Sequence, residues 1–184
     1  DKRIDALAEM YNPVKITPAS IEFVDIAGLV RGASKGEGLG NKFLSHIREV
    51  DAIIHVVRCF EDDNVIHVEG SVDPVRDIEI VNFELQCKDL EQIDRKITKV
   101  EKAAKIGDKT AKHDYEILKK YKEHLESFQN VSTMEVTADE RAVVADMMLL
   151  TEKPVLYVCN VNDNDAVKGN AYSEAVNKYV EKNG

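Results

Sequence analysis

The sequence predicts an α/β fold in which a doubly wound parallel sheet carries an inserted antiparallel hairpin of helices. Short apolar runs alternate with stretches of helical period, as they do in parallel βαβ units. In addition, one long helical stretch has heptad-like spacing and no strand, which is typical of a coiled coil. We therefore divide the chain into a first sheet part at 1–74, a helical insertion at 75–130 and a second sheet part at 131–184.

The first sheet part is predicted to contain a helix, a strand, a second helix and a second strand, in that order. Apolar residues recur every three or four positions over 3–11, and Pro13 ends that pattern. Apolar runs at 19–24 and 52–57 are typical of buried strands, and the second is apolar enough to be covered on both faces. The helix between the strands is expected over about 39–49.

A glycine-rich stretch follows the first predicted strand. Residues 25–41 read DIAGLVRGASKGEGLGN, with Asp25 at the carboxyl end of the strand. Nucleotide hydrolases use such a carboxylate near Mg²⁺ and the γ-phosphate, and a loose backbone after it can approach a ligand. The alternative is that Asp25 only caps the following turn. The glycines of this loop are Gly28, Gly32, Gly36, Gly38 and Gly40.

The insertion is predicted from the spacing of its apolar residues. Pro74 suits the first turn of a helix. The heptad-like pattern then stops at Gly107 and resumes over 111–128. The other faces mix Lys and Glu, so they are either a solvated surface or a docking arm for a partner. The residues of the first heptad-like run are Leu90, Ile93, Ile97, Val100 and Ala104.

The second sheet part is predicted to contain a helix, a strand and a final helix. Residues Thr137 to Glu140 read TADE, the form of a capping box, so a helix is expected from there to about Leu150. An apolar run at 154–159 predicts another buried strand. Helical periodicity over 171–182 predicts the last helix.

Composition limits the partners and the compartment. The net charge of −9 argues against free DNA as a partner, so that any contact with RNA would have to be local. Three widely spaced cysteines form no CxxC pair, which argues against a disulfide framework or a zinc site and favours a reduced cytoplasm. No apolar run is long enough to span a membrane. We expect a cytoplasmic monomer.

Three segments together are similar to one known family. They are 25–41, VVRCFED at 56–62 and NVND at 160–163. They resemble the YchF family, the Obg-like ATPases of the translation-factor class of P-loop GTPases. The resemblance implies a P-loop NTPase G domain, with the ribosome as partner. It also places the GxxxxGK[ST] loop, which this sequence lacks, upstream and a TGS domain downstream, so we interpret the chain as an internal fragment that is inactive alone.

The resemblance assigns roles near the γ-phosphate. The 25–41 loop becomes switch II, in which Asp25 would hold a water on Mg²⁺ and the Gly28 amide would reach the γ-phosphate. Leu29 stands where related GTPases place a water-orienting Gln, and leucine cannot orient water. The family's histidine falls on His67, the predicted catalytic residue, although by itself it would be interpreted as a surface histidine. His55, inside a strand, is interpreted as structural.

The resemblance also assigns the base-recognition loop to Asn160, Val161 and Asp163. GTPases have NKxD here, in which the Lys stem packs on the base and Asp accepts from guanine. Val161 removes that Lys, and the family usually has NxxE, which it links to a preference for ATP. Asp163 departs from the family pattern, and an ordinary Asn/Asp turn is the alternative.

The expected function is an Mg²⁺-dependent ATPase or GTPase that acts as a ribosome-associated regulatory switch and prefers ATP. The alternative is a binding module with very slow or no hydrolysis, in which the coiled-coil arm docks a partner.

Overall fold

The helices and strands follow the predicted order with one exception, the first strand. The structure is a computed structural model, and it describes residues 2–26, 40–67 and 69–183, with the backbone alone at 40–43. The elements of this part of the chain are α1 (Lys2–Tyr11), α2 (Gly40–Glu49), β1 (Ile53–Arg58), α3 (Pro74–Lys105), α4 (Lys109–Glu126), α5 (Ala138–Val144), β2 (Val155–Asn160) and α6 (Ala171–Asn183).

Strands β1 and β2 form a parallel pair, although about a hundred residues separate them in sequence. The register runs from Ile53 opposite Val155 to Arg58 opposite Asn160. A parallel pair needs a crossover connection, and α3, α4 and α5 lie within it. Within the described ranges these are the only strands, so a larger doubly wound sheet stays a prediction.

The strand predicted at 19–24 is wrong for the described residues. This segment has no strand pairing, and the side chains of Ile21 and Phe23 are 79% and 76% exposed. A strand requires a neighbour that takes up its N–H and C=O groups, and among the described residues no strand lies beside this segment. An apolar run alone therefore does not produce a strand.

The prediction that β1 is covered on both faces is also wrong. Burial alternates along both strands, as in a sheet with one packed face. Val57 on the packed face lies in a cluster with Ile78 of α3 and Val176 of α6. On the open face four apolar side chains are 41 to 62% exposed, namely Ile54, Val56, Leu156 and Val158.

Helices α3 and α4 pack against each other and are joined by a three-residue turn at 106–108. Asp73 and Asp108 cap the two helices by accepting from the backbone N–H groups of Arg76 and Ala111. Gly107 takes a positive φ of 98°, which few other residues adopt. The coiled-coil description stays a prediction. Their shared core contains Ile93, Leu118, Tyr121 and Leu125.

Helix α5 begins as predicted but ends too early. Thr137 and Glu140 form the capping box, which is confirmed. The helix then stops at Val144 rather than near Leu150. Buried Asp89 of α3 accepts from the N–H groups of Leu150 and Thr151, each at 2.8 Å. Between Val144 and these residues, Met148 takes the left-handed conformation, with φ 50° and ψ 56°, which interrupts a right-handed helix before Leu150.

Candidate functional site

The candidate site is built at the carboxyl ends of β1 and β2. Arg58 and Asn160 end the strands opposite each other, and the N–H of Cys59 donates to the carbonyl of Asn160 at 2.7 Å. The loop after β1 and the loop after β2 therefore begin side by side. In open α/β sheets ligands bind at this edge of the sheet.

Arg58 shapes the loop that follows β1. Its guanidinium donates to three backbone carbonyls, those of Phe60 at 3.0 Å, Val65 at 2.8 Å and Asp62 at 3.3 Å. The same group lies 4.8 Å from the centre of the Phe60 ring. The loop is thus folded around one side chain of the strand. Sequence reasoning missed Arg58, although it stands inside the VVRCFED motif.

His67 lies in the middle of this loop, which joins β1 to α3, and its side chain is mostly buried. Its side chain is 14% exposed, so the alternative of a plain surface histidine is wrong. Nε2 lies 2.8 Å from an Oδ atom of Asp77, and Nδ1 accepts from the N–H of Glu69 at 3.1 Å. Because Nδ1 accepts, it carries no proton, and Nε2–H is the donor to Asp77. Both ring nitrogens are occupied in this state.

Asp77 is itself held in place. Arg76 donates through Nε and Nη2 to Oδ1 of Asp77, at 3.3 and 3.1 Å, while Oδ2 accepts from His67. Arg76 also donates to the hydroxyl and carbonyl oxygens of Ser71. Asp77 lies in the first turn of α3, where the helix dipole favours a carboxylate. Sequence reasoning assigned no role in the site to Asp77.

The loop after β2 is fastened to the loop after β1. Asn170 donates through Nδ2 to the carbonyl of Cys59 at 2.8 Å and to Asp165 at 3.0 Å. The Tyr172 hydroxyl donates to Glu61. Asn170 was not predicted, because nothing local in the sequence marks its partner 111 residues away.

The predicted base-recognition residues differ in exposure. Asn160 and Asp163 are exposed, and Asp163 begins a short 3₁₀ turn. The side chain of Val161 instead packs against the cluster that contains Val57 and Ile78. Only the backbone of Val161 is therefore left to face a base.

The predicted switch II residues lie mostly outside the described ranges. Gly28, Leu29, Gly32, Gly36 and Gly38 fall there, and Gly40 is the first residue of α2. Asp25 is exposed in the unpaired segment, while Ile26 beside it packs near Leu44 and Leu85. Within 2–26, 40–67 and 69–183 no group of three or more His, Cys, Asp or Glu could hold a metal ion. Asp25 alone fits Mg²⁺ only in part, since that ion takes one or two carboxylates together with waters and phosphate oxygens.

Two titratable groups on β1 and just after it have pKa values shifted by their surroundings, buried Cys59 and partly buried His55. Burial raises the pKa of the Cys59 thiol to about 12, and neighbouring Cys159 adds to the shift. Cys59 is thus a protonated, unreactive thiol. Burial lowers the pKa of His55, against the opposing charge of Asp77, and the His55 ring lies 5.6 Å from that of Tyr157.

Comparison with known proteins identifies the family. Residues 6–107 match the family model described as "50S ribosome-binding GTPase". The "Ribosome-binding ATPase YchF" of Bacillus subtilis is 50% identical over 182 residues, which are 98% of this chain and 50% of that protein. The protein of the same name from Escherichia coli O157:H7 is 48% identical over 184 residues, all of this chain and 50% of that protein. The chain belongs to the YchF family.

A solved structure extends the YchF likeness to the fold. The structure of the Schizosaccharomyces pombe YchF GTPase covers 100% of this chain and 50% of that one, at 39% identity and a TM-score of 0.80. The chain therefore has a P-loop GTPase fold with a parallel sheet and helices. It spans about half the length of the YchF relatives it matches. No helix of the described residues is long and apolar enough to cross a membrane.

Proposed function

We propose that this chain is part of a longer protein that hydrolyses ATP or GTP and acts with the ribosome. "The whole protein" below means this chain with the further length of its relatives. The observation that carries the proposal is the pairing of β1 with β2. It brings the loop after β1, which contains His67, and the loop after β2, which begins at Asn160, to one edge of the sheet. The chain divides into a G-domain part at 1–74, a coiled-coil insertion at 75–130 and a second G-domain part at 131–184.

The residues of the chain take these roles when nucleotide is bound. His67 orients the attacking water, because a neutral imidazole can accept a hydrogen bond from it. Asp25 holds a water of the Mg²⁺ shell, and the Gly28 amide donates to the γ-phosphate. Bound Mg²⁺ supplies positive charge that neutralises the phosphate oxygens. Leu29 cannot orient the attacking water, because its side chain has no hydrogen-bonding group.

The base is read by the loop after β2. The backbone at Asn160 and Val161 supplies donors and acceptors that suit adenine, while the Val161 side chain stays in the core. Asp163 is exposed, and residue 161 is Val, so the loop has no Lys side chain that would pack on a guanine ring beside Asp163. ATP is therefore preferred over GTP.

The arm formed by α3 and α4 supports a partner rich in phosphate. Residues 96–122 contain nine lysines and four acidic residues, a net charge of +5 in a chain of −9. Some lysines are paired, such as Lys96 with Asp146 and Lys120 with Glu140. The two helices together, 74–126, carry no net charge, so the basic charge is confined to the part of the arm around its turn. A local basic surface on an acidic protein favours a local contact with RNA, and we propose the ribosome as its source. This partner would place the protein in the cytoplasm.

The alternative is a slowly hydrolysing module in which nucleotide only controls the arm. It is favoured by one observation, that both ring nitrogens of His67 are occupied in this state. Turnover separates the two functions. If the whole protein hydrolyses nucleotide at a rate near the uncatalysed one, even with ribosomes present, that result would support the binding module.

The test of the catalytic proposal is His67→Ala in the whole protein. We expect kcat to fall by about 10²- to 10⁴-fold while nucleotide affinity stays the same, because His67 acts only in the transition state. The matched control is His113→Ala, which removes an exposed histidine from the arm. Unchanged kcat in His67→Ala would remove His67 from the mechanism.

A further inference from the structure

The His67 ring cannot orient a water in the state observed, so one of its two hydrogen bonds must be exchanged. The bond to Asp77 is short, at 2.8 Å, and its acceptor is a carboxylate. The bond from the Glu69 N–H to Nδ1 is longer, at 3.1 Å, and joins neutral groups. Charge-assisted hydrogen bonds are roughly twice as strong as neutral ones. The Glu69 bond is therefore the one that water displaces.

We propose that Asp77 is a positioning residue for His67: it holds Nε2–H, so that Nδ1 is the atom that receives the hydrogen bond of the attacking water. The proposal rests on the proposed role of His67 in hydrolysis. Asp77 touches neither the nucleotide nor the water and acts only through the imidazole ring. It sets the tautomer of the ring and the direction of its free lone pair.

The surroundings of Asp77 fit this role. Arg76 donates twice to Oδ1, and of the residues that the structure describes His67 is the one whose hydrogen bond to Oδ2 is seen. Arg76 also donates two hydrogen bonds to Ser71, which lies in the same loop as His67. The carboxylate is thus fixed by α3 on one side and by the loop on the other. A group whose only task was to cap α3 would not need this arrangement, because Asp73 already caps that helix.

The first test reads the tautomer directly and does not depend on hydrolysis. Nitrogen-15 NMR of the whole protein, labelled at histidine, reports which ring nitrogen carries the proton, and the His67 signals are assigned by their loss in His67→Ala. We expect protonated Nε2 and unprotonated Nδ1 in the native protein. With a non-hydrolysable nucleotide bound, so that water has displaced the Glu69 N–H from Nδ1, we expect a mixture of tautomers in Asp77→Ala. A native Nδ1–H tautomer, or a spectrum of this nucleotide-bound state that is unchanged in Asp77→Ala, would overturn the proposal.

The second test is kinetic and separates positioning from general damage. Asp77→Ala should lower kcat by about 10- to 100-fold and leave KM for nucleotide nearly unchanged. Asp77→Glu, which keeps the carboxylate, should recover part of the loss. The matched control, Glu79→Ala, removes a nearby exposed carboxylate of α3 and should leave kcat unchanged.

The double variant His67→Ala/Asp77→Ala decides whether Asp77 acts through His67. We expect the same kcat as in His67→Ala alone, because Asp77 has no other route to the reaction. A further fall would show a separate structural role and overturn the proposal, and a rise of kcat in Asp77→Ala would show that Asp77 restrains His67 instead. If His67→Ala leaves kcat unchanged while the tautomer still depends on Asp77, the proposed function fails and the positioning contact stands.

Discussion

Replacing Arg58 should loosen the loop that presents His67. Arg58 donates to the carbonyls of Phe60, Val65 and Asp62. The partly buried hydrogen bond to Phe60 should stabilise the closed loop by about 1 to 2 kcal/mol. Each of the two exposed hydrogen bonds should contribute about 0.5 to 1 kcal/mol. Arg58→Ala should therefore weaken the closed loop by about 2 to 4 kcal/mol. A free-energy change of about 1.4 kcal/mol changes an equilibrium constant tenfold, so the ratio of closed to open loop should fall by about 30- to 700-fold.

Hydrogen exchange on the whole protein measures this loss. Two backbone bonds report on the loop, from Val65 N–H to Asp62 and from Gly70 N–H to His67, at 3.1 and 3.0 Å. Peptides that cover 59–73 should exchange faster in Arg58→Ala, while peptides of β2 serve as the internal reference. Arg58→Lys keeps the charge but loses the planar guanidinium that spreads its donors over three carbonyls, so it should recover a minor part of the protection.

Turnover provides the second readout. If the loop must be closed for hydrolysis, kcat should fall in Arg58→Ala with little change in nucleotide affinity. The control is Arg95→Ala, because Arg95 is an exposed arginine of α3 that pairs with Glu91. Unchanged exchange over 59–73 in Arg58→Ala would refute the reasoning, whatever the turnover.

Three further predictions concern the base, the core and the isolated chain. The whole protein should bind ATP at least as tightly as GTP in competition binding, and a GTP preference above about 100-fold would mean that Asp163 reads guanine. Asp89→Ala should lower the free energy of unfolding by about 2 to 5 kcal/mol, because it leaves buried N–H groups of Leu150 and Thr151 unpaired. Asp89→Asn keeps one acceptor and should cost about half as much in urea denaturation, and equal losses would contradict this. The isolated 184-residue chain should bind fluorescent ATP weakly or not at all, since phosphate contacts of a GxxxxGK[ST] loop are missing from its sequence; submicromolar affinity would place the phosphate site elsewhere.

Local signals in the sequence determined most of the helices and their starts. Pro74 begins α3, Gly107 breaks the long helical stretch, and the capping box at Thr137 begins α5. These features act within a few residues of where they stand, so the sequence reveals them without knowledge of the fold. Asn160 and His67 were found only through the family resemblance, because each alone is a common loop residue.

Tertiary structure decided what depends on partners distant in sequence. The apolar run at 19–24 forms no strand because no strand of the described residues pairs with it, and α5 does not reach Leu150 because Met148 takes a left-handed conformation, beyond which distant Asp89 accepts from Leu150 and Thr151. The contacts of the candidate site likewise depend on residues that are distant in sequence. Asp77 becomes the partner of His67 only when the loop after β1 folds back onto α3, and Arg58 gathers carbonyls of that loop only once it has turned. Periodicity and capping describe a segment by itself, whereas a hydrogen-bond partner is set by where the whole chain brings it.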